Sequence, residues 1–197
     1  MPRELRVTLV MALMLAVGLA GAKTYVRVMV PYYAGMGRLL AGLHAWQIQE
    51  VGLAREGPGG AQEVRLVAIV RKTPSQPLPA LRVESTMTFG DIVQLPVIFW
   101  GILLAWRADT LKQLLLRLAT GVPVFLTLEI VTTVCQLVGP MAEAAEYLNG
   151  NAHPLTAWEI WSRLMETGGR QALAAVAALL IVASGASSLH VQPERRR

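Results

Sequence analysis

Hydrophobic positions along this chain gather into long unbroken runs, unlike the short amphipathic periods of a water-soluble domain. A helix rises about 1.5 Å per residue and the hydrocarbon core of a bilayer is about 30 Å thick, so about 20 mostly apolar residues span it. Val7 to Ala22 makes the first such run, and its apolar character resumes after Lys23 through Val26 to Val30. Phe89 to Trp106, Leu118 to Val138 and Gln171 to Leu189 make three more. The pattern predicts an α-helical membrane protein with four transmembrane helices.

Between the first and second runs the period changes. Met29 to Trp46 reads as an amphipathic helix opened by Pro31, with Leu39, Leu40, Leu43 and Trp46 at helical spacing. Trp46 to Ala54 then alternates, Glu63 to Arg71 is a strand, and Ala80 to Thr88 sets Leu81, Val83, Ser85 and Met87 against Arg82, Glu84 and Thr86. Glu56 to Gly60 forms a turn and Thr73 to Pro79 a proline-rich loop. The expectation is a small extracytoplasmic α+β insertion of about three strands. So small a sheet buries little apolar surface, so it must lean on the interfacial helix, the membrane or a partner. The chain then divides into a first transmembrane helix (1–30), an extracytoplasmic interfacial helix plus strands (31–88), a three-helix membrane region with an outside loop at 140–168 (89–189), and a basic cytoplasmic tail (190–197).

Charge adds an orientation. Only 16% of residues are charged while 54% are hydrophobic, and the charges cluster at the ends of the apolar runs. Arg3 and Arg6 precede the first run, Arg107, Lys112 and Arg117 lie between the second and third, and Arg195 to Arg197 end the chain. With four spans these flanks share one side, and the positive-inside rule makes that side the cytoplasm. The stretch between the third and fourth runs carries Glu143, Glu146, Glu159 and Glu166 against Arg163 and Arg170. Span count and charge bias agree on N-in and C-in. The net charge of +5 is accordingly read as topological, with no nucleic acid among the partners. A basic start followed by Ala20-Gly21-Ala22 also fits a cleaved signal peptide; the reading adopted is an uncleaved anchor.

Aromatic residues at the ends of the spans fit interfacial anchoring: Tyr32, Tyr33 and Trp46 after the first span, Trp106 at the end of the second, and Trp158 and Trp161 on a short outer helix from Thr156 to Met165. Inside the third span Glu129, Thr132, Thr133 and Gln136 form a polar stripe at i, i+3, i+4 and i+7. Such a stripe should face protein, and Gln94 of the second span lies at the depth to meet Gln136 or Thr133. Gly101 should allow close approach near Glu129. An ionisable group in hydrocarbon is costly and calls for a reason. One reading of Glu129 is a proton relay or a contact with a polar substrate. The other, which the residues favour, is a structural or subunit contact, because no Lys, Arg or His was found at similar depth to complete a relay.

Chemistry is otherwise sparse. Cys135 is the single cysteine, which excludes an intrachain disulfide and a cysteine cluster. His44, His153 and His190 are dispersed, and neither a paired-histidine metal spacing nor a phosphate or dinucleotide loop is present. No catalytic residue, metal or cofactor is assigned. A Cys135–His153 nucleophilic pair near the outer surface is the enzymatic alternative.

The order of parts, with VMVPYYAGMGRLLAGL after the first span, FGDIVQLPVIFWGILLAW at a strand-to-helix junction and LLLRLATGVPVFLTLEIVTTVCQL after a basic turn, resembles the small membrane proteins associated with exosortases, the exosortase H-associated type in particular. The resemblance spans most of the chain as architecture and Phe89 to Leu137 as residue texture. It implies a non-catalytic accessory subunit in protein sorting or surface polymer export, with membrane lipids and a larger membrane protein as partners. The alternatives are a small membrane cysteine peptidase or transferase, and a transport or proton-relay subunit centred on Glu129.

Overall fold

The structure is a computed structural model that describes residues 3–43, 46–55, 62–71, 80–108, 110–148 and 157–187. The Glu56–Gly60 turn, the Thr73–Pro79 loop, all three histidines and the tail 190–197 lie outside the described residues.

Helix α1 runs unbroken from Arg3 to Gly42. The separate interfacial helix expected from Pro31 is therefore the upper part of a single element. Proline removes one intrahelical hydrogen bond and crowds the preceding turn. Here Pro31 sits on an exposed face, while Val26, Met29, Tyr33 and Ala34 on either side of it are buried and hold the helix in place. At about 1.5 Å per residue the helix is roughly 60 Å long, twice the thickness of a hydrocarbon core. Leu5, Leu9, Leu13, Val17 and Leu19 of its first half are exposed, and its second half packs against the sheet.

Strands β1 (Trp46–Arg55), β2 (Gln62–Arg71) and β3 (Ala80–Thr88) form an antiparallel sheet in the order β1-β2-β3. Alternation sets its two faces. Val64, Leu66, Ala68 and Val70 of the central strand point inward beside Trp46, Val51, Val83 and Met87, joining one core with α1, α2 and the helix after the third span. On the other face Arg65 reaches Glu50 at 3.7 Å and Glu84 at 3.0 Å. The chain passes without a loop from β3 into α2 (Phe89–Ala105), whose first turn is capped by Thr88: its hydroxyl accepts from the Asp91 backbone N–H at 3.2 Å.

Helix α3 (Leu111–Glu129), one π turn (Ile130–Val134) and α4 (Cys135–Leu148) make one continuous helix, capped at its start by Thr110. It therefore outruns the expected span at both ends, taking up Lys112 and Arg117 at one end and Glu143 and Glu146 at the other. Helix α5 (Ala157–Leu164) leads through a second wide turn into α6 (Arg170–Ser187). Gly168 at φ 109° makes the kink between them, a conformation that L side chains rarely adopt. Among the described residues three helices, Glu4–Gly42, Leu111–Leu148 and Ala157–Ser184, are long and apolar enough to cross a membrane, and Phe89–Ala105 is apolar but shorter.

Packing order among the helices differs from the expected pairing of the second and third spans. Helix α2 lies chiefly between α1 and α6. Gly101 does permit a close approach, but to α1: a Cβ there would come within 2.6 Å of Met11 Sδ. Where α2 meets α3, Trp100 and Leu103 sit against Gly121, and Trp100 lies edge-on to Phe99 and tilted against Phe125.

Candidate functional site

The polar stripe begins where the π turn begins. Glu129 is fully buried, and it accepts three hydroxyl hydrogen bonds: from Tyr25 Oη to Oε1 at 2.5 Å, and from Tyr33 Oη at 2.9 Å and Thr133 Oγ1 at 2.7 Å to Oε2. A carboxylate accepts and does not donate, so three converging hydroxyls suit it. Thr133 Oγ1 in turn accepts from Arg170 Nη2 at 2.6 Å. The guanidinium, itself buried, donates also to the Asp91 carbonyl at 2.8 Å and meets Met87 Sδ at 3.4 Å. One network thus ties α1, α3, α6, the start of α2 and the end of β3.

Arg170 overturns the expectation that Glu129 lies without a cation nearby. The sequence places Arg170 among loop charges, two residues past Gly168. The kink at Gly168 makes it instead the first residue of α6 and turns it into the protein. A second buried arginine works at the opposite end of α2: Arg117 Nη1 donates to the carbonyls of Trp106 at 3.2 Å and Arg107 at 3.1 Å, satisfying acceptors that a helix terminus leaves open.

The remaining stripe residues divide. Thr132 is buried but donates to Leu128 O of its own helix at 2.8 Å, so it takes no part in the network. Gln136 Oε1 is buried without a hydrogen-bond partner. The expected Gln94–Gln136 or Gln94–Thr133 bond is replaced: Gln94 Oε1 accepts from Gln171 Nε2 at 2.5 Å, because α6 rather than α4 lies beside that turn of α2.

Of the aromatic residues expected at the interface, Tyr33 and Trp46 are buried in the protein and the others are partly buried. Tyr33 is fully buried on Glu129, and Tyr32 donates to Leu126 O at 2.9 Å. Trp46 belongs to the core under the sheet, and Trp158 packs against that core half-buried. Trp161 Nε1 donates to Val131 O at 2.7 Å, a carbonyl of the π turn, where widened turns leave backbone acceptors free. Trp106 alone keeps a terminal position, as the C-cap of α2. Tyr32, Tyr33 and Trp161 each find an acceptor on α3 or its π turn, which satisfies the polar end of a ring that is otherwise apolar. Sequence reasoning missed Tyr25 and Arg170; Tyr25 stands with Lys23, Thr24 and Arg27 in a polar break of the first apolar stretch, the one signal that could have found it.

Beside this network lies a cleft of about 440 Å³. Glu84 to Thr88 of β3 form one wall, Asp91 and Gln94 of α2 another, and Gln136, Glu166, Arg170 and Gln171 close it. Three buried polar atoms on these walls have no partner: Gln136 Oε1, Arg170 Nε and Gln171 Oε1. Cys135 is half-buried, and its expected partner His153 lies outside the described residues. Among the described residues no group of three or more His, Cys, Asp and Glu side chains could hold a metal ion. Comparison of the chain with family models, with curated proteins and with solved structures finds no match.

Proposed function

We propose that this chain is a non-catalytic accessory subunit of a bacterial inner-membrane complex, holding its sheet at the outer membrane surface for a larger partner. In this reading α1, α2, α3 with α4, and α6 cross the membrane, N-in and C-in. The 31–88 region then stands outside the cytoplasm, and a role beside an exosortase in sorting or surface polymer export follows from the resemblance in its order of parts. Helix α2 supports four crossings: its 17 residues rise roughly 26 Å, close to the hydrocarbon thickness, and Arg117 and Arg170 hold its two ends.

The observation that carries the subunit reading is how the buried polar groups are used. Glu129 is engaged by three hydroxyls and Arg170 by a carbonyl and a hydroxyl, so the most charged part of the interior acts as a clamp between elements. A relay would need polar groups continuing toward the other face. Below Glu129 the buried neighbours are instead Leu95, Phe99, Leu103, Phe125 and Ala174. The next buried polar side chain down that helix is Arg117, roughly 18 Å away along the axis.

Purification in mild detergent from native membranes tests the reading. A stoichiometric larger membrane protein should accompany the chain, and Cys135→Ala should leave the biological activity of that complex intact. A chain that purifies alone and carries an activity abolished by Cys135→Ala would sink it.

A further inference from the structure

The cleft has a wall of an unusual kind. Successive strand residues point to opposite faces of a sheet, so a cavity on one face touches every second residue. Here five consecutive residues, Glu84 through Thr88, border the same cleft. That places the cleft along the edge of β3 rather than over a face. With the strand order β1-β2-β3, no strand among the described residues lies on the far side of β3. Among the described residues, none of the backbone bonds made outside helices and strands falls on β3. Its outward N–H and C=O groups thus have no backbone partner among the described residues, a condition that favours pairing with an added strand.

Two further observations narrow the occupant. Gln136 Oε1, Arg170 Nε and Gln171 Oε1 lie buried in the cleft walls without partners, and Arg170 is only 3% exposed. They offer both acceptors and a donor, which suits the alternating N–H and C=O of a polypeptide backbone. The exposed ionisable side chains around the cleft are Asp91, Glu166 and Glu84, the last also paired with Arg65 at 3.0 Å, all acidic, while its one cation, Arg170, is buried and already engaged. We propose that the free edge of β3 and the adjoining cleft bind an extended, basic polypeptide segment by strand addition. The inference rests on the reading of this chain as a subunit that docks a partner, and it names the mode of docking. Backbone pairing along β3 would supply affinity, and the acidic rim would select lysine or arginine side chains.

The test uses the full chain in lipid nanodiscs and a fluorescein-labelled peptide of about nine residues alternating lysine and valine, read by fluorescence anisotropy. Two control peptides share its length: one with glutamate in place of lysine, and one N-methylated at alternate amides, which keeps the charge but blocks one pairing edge. The lysine–valine peptide should bind about tenfold tighter than either control. Glu84→Gln with Glu166→Gln should remove most of its preference over the glutamate peptide. Equal binding of the N-methylated peptide overturns strand addition, equal binding of the glutamate peptide overturns the basic selectivity, and absence of binding overturns both. If the peptide fails while a larger membrane protein still co-purifies, this inference falls and the subunit reading stands. If the chain purifies alone yet binds the peptide as described, the reverse holds.

Discussion

The coupling between Glu129 and Arg170 is the sharpest consequence of the buried network. The two share Thr133 Oγ1, 2.7 Å from the carboxylate and 2.6 Å from the guanidinium. Their charged atoms can therefore be no farther apart than roughly 5 Å, and at an effective dielectric of about 20 the attraction is about 3 kcal/mol. Glu129→Gln keeps one oxygen as an acceptor, puts an N–H donor where the other oxygen accepted, and leaves Arg170 buried without its counter-charge. Arg170→Met does the converse to Glu129, and removes the donor to the Asp91 carbonyl as well. Breaking a buried pair from one side typically costs about 3–5 kcal/mol, whereas removing both charges spares the second penalty. Each single substitution should cost about 3 kcal/mol or more, and the double variant should cost less than their sum by about 3 kcal/mol. Reversible unfolding of the wild type, both single variants and the double variant in mixed detergent micelles, followed by tryptophan fluorescence, gives the cycle. Additivity within about 0.5 kcal/mol, the behaviour of independent sites, would refute the coupling.

Three smaller perturbations probe the surrounding supports. A Cβ at Gly18 would overlap Val97 Cγ2, a branched side chain with little freedom, whereas at Gly101 it meets the flexible end of Met11. Gly18→Ala should thus destabilise by about 1–3 kcal/mol and Gly101→Ala by clearly less, measured in the same micelle assay. Trp161→Phe leaves the Val131 carbonyl of the π turn without its indole donor, a loss of about 1–2 kcal/mol that should lower Tm by about 2–8 °C. Thr88→Ala removes the cap of α2 and should cost about 1 kcal/mol, with slowed hydrogen exchange lost first at the Asp91 amide.

Strands were the most legible part of the chain. Alternation over Glu63 to Arg71 and Ala80 to Thr88 follows directly from a sheet with one packed face, and the observed strands fall within a residue of those limits. The apolar runs were equally plain, but their ends were not. Hydropathy stops where charge begins, whereas α3 and α4 carry Arg117 and Glu143 on one unbroken helix because a cap at Thr110 and packing below the sheet extend it. The polar stripe could be read from spacing, since i, i+4 and i+7 follow from helix geometry. Its partners could not. Tyr33 and Arg170 lie 96 and 37 residues from the groups they bond, and only the long α1 and the Gly168 kink bring them there. The same distance hid the partners of the aromatic residues. An aromatic residue at a span end looks identical in sequence whether its hydroxyl or indole N–H meets water or a carboxylate two helices away.

Which side of the membrane the cleft faces is the claim on which the partner, the acidic rim and the strand edge all depend. In a Cys135→Ala background, single cysteines introduced as Thr86→Cys on β3 and Ala108→Cys after α2 can be labelled in intact spheroplasts with a membrane-impermeant maleimide. Labelling at position 86 without permeabilisation, and at position 108 only after it, is the predicted result. Labelling at 108 from outside, or protection at 86 until the membrane is opened, would contradict the four-span, N-in arrangement and with it an outward-facing cleft.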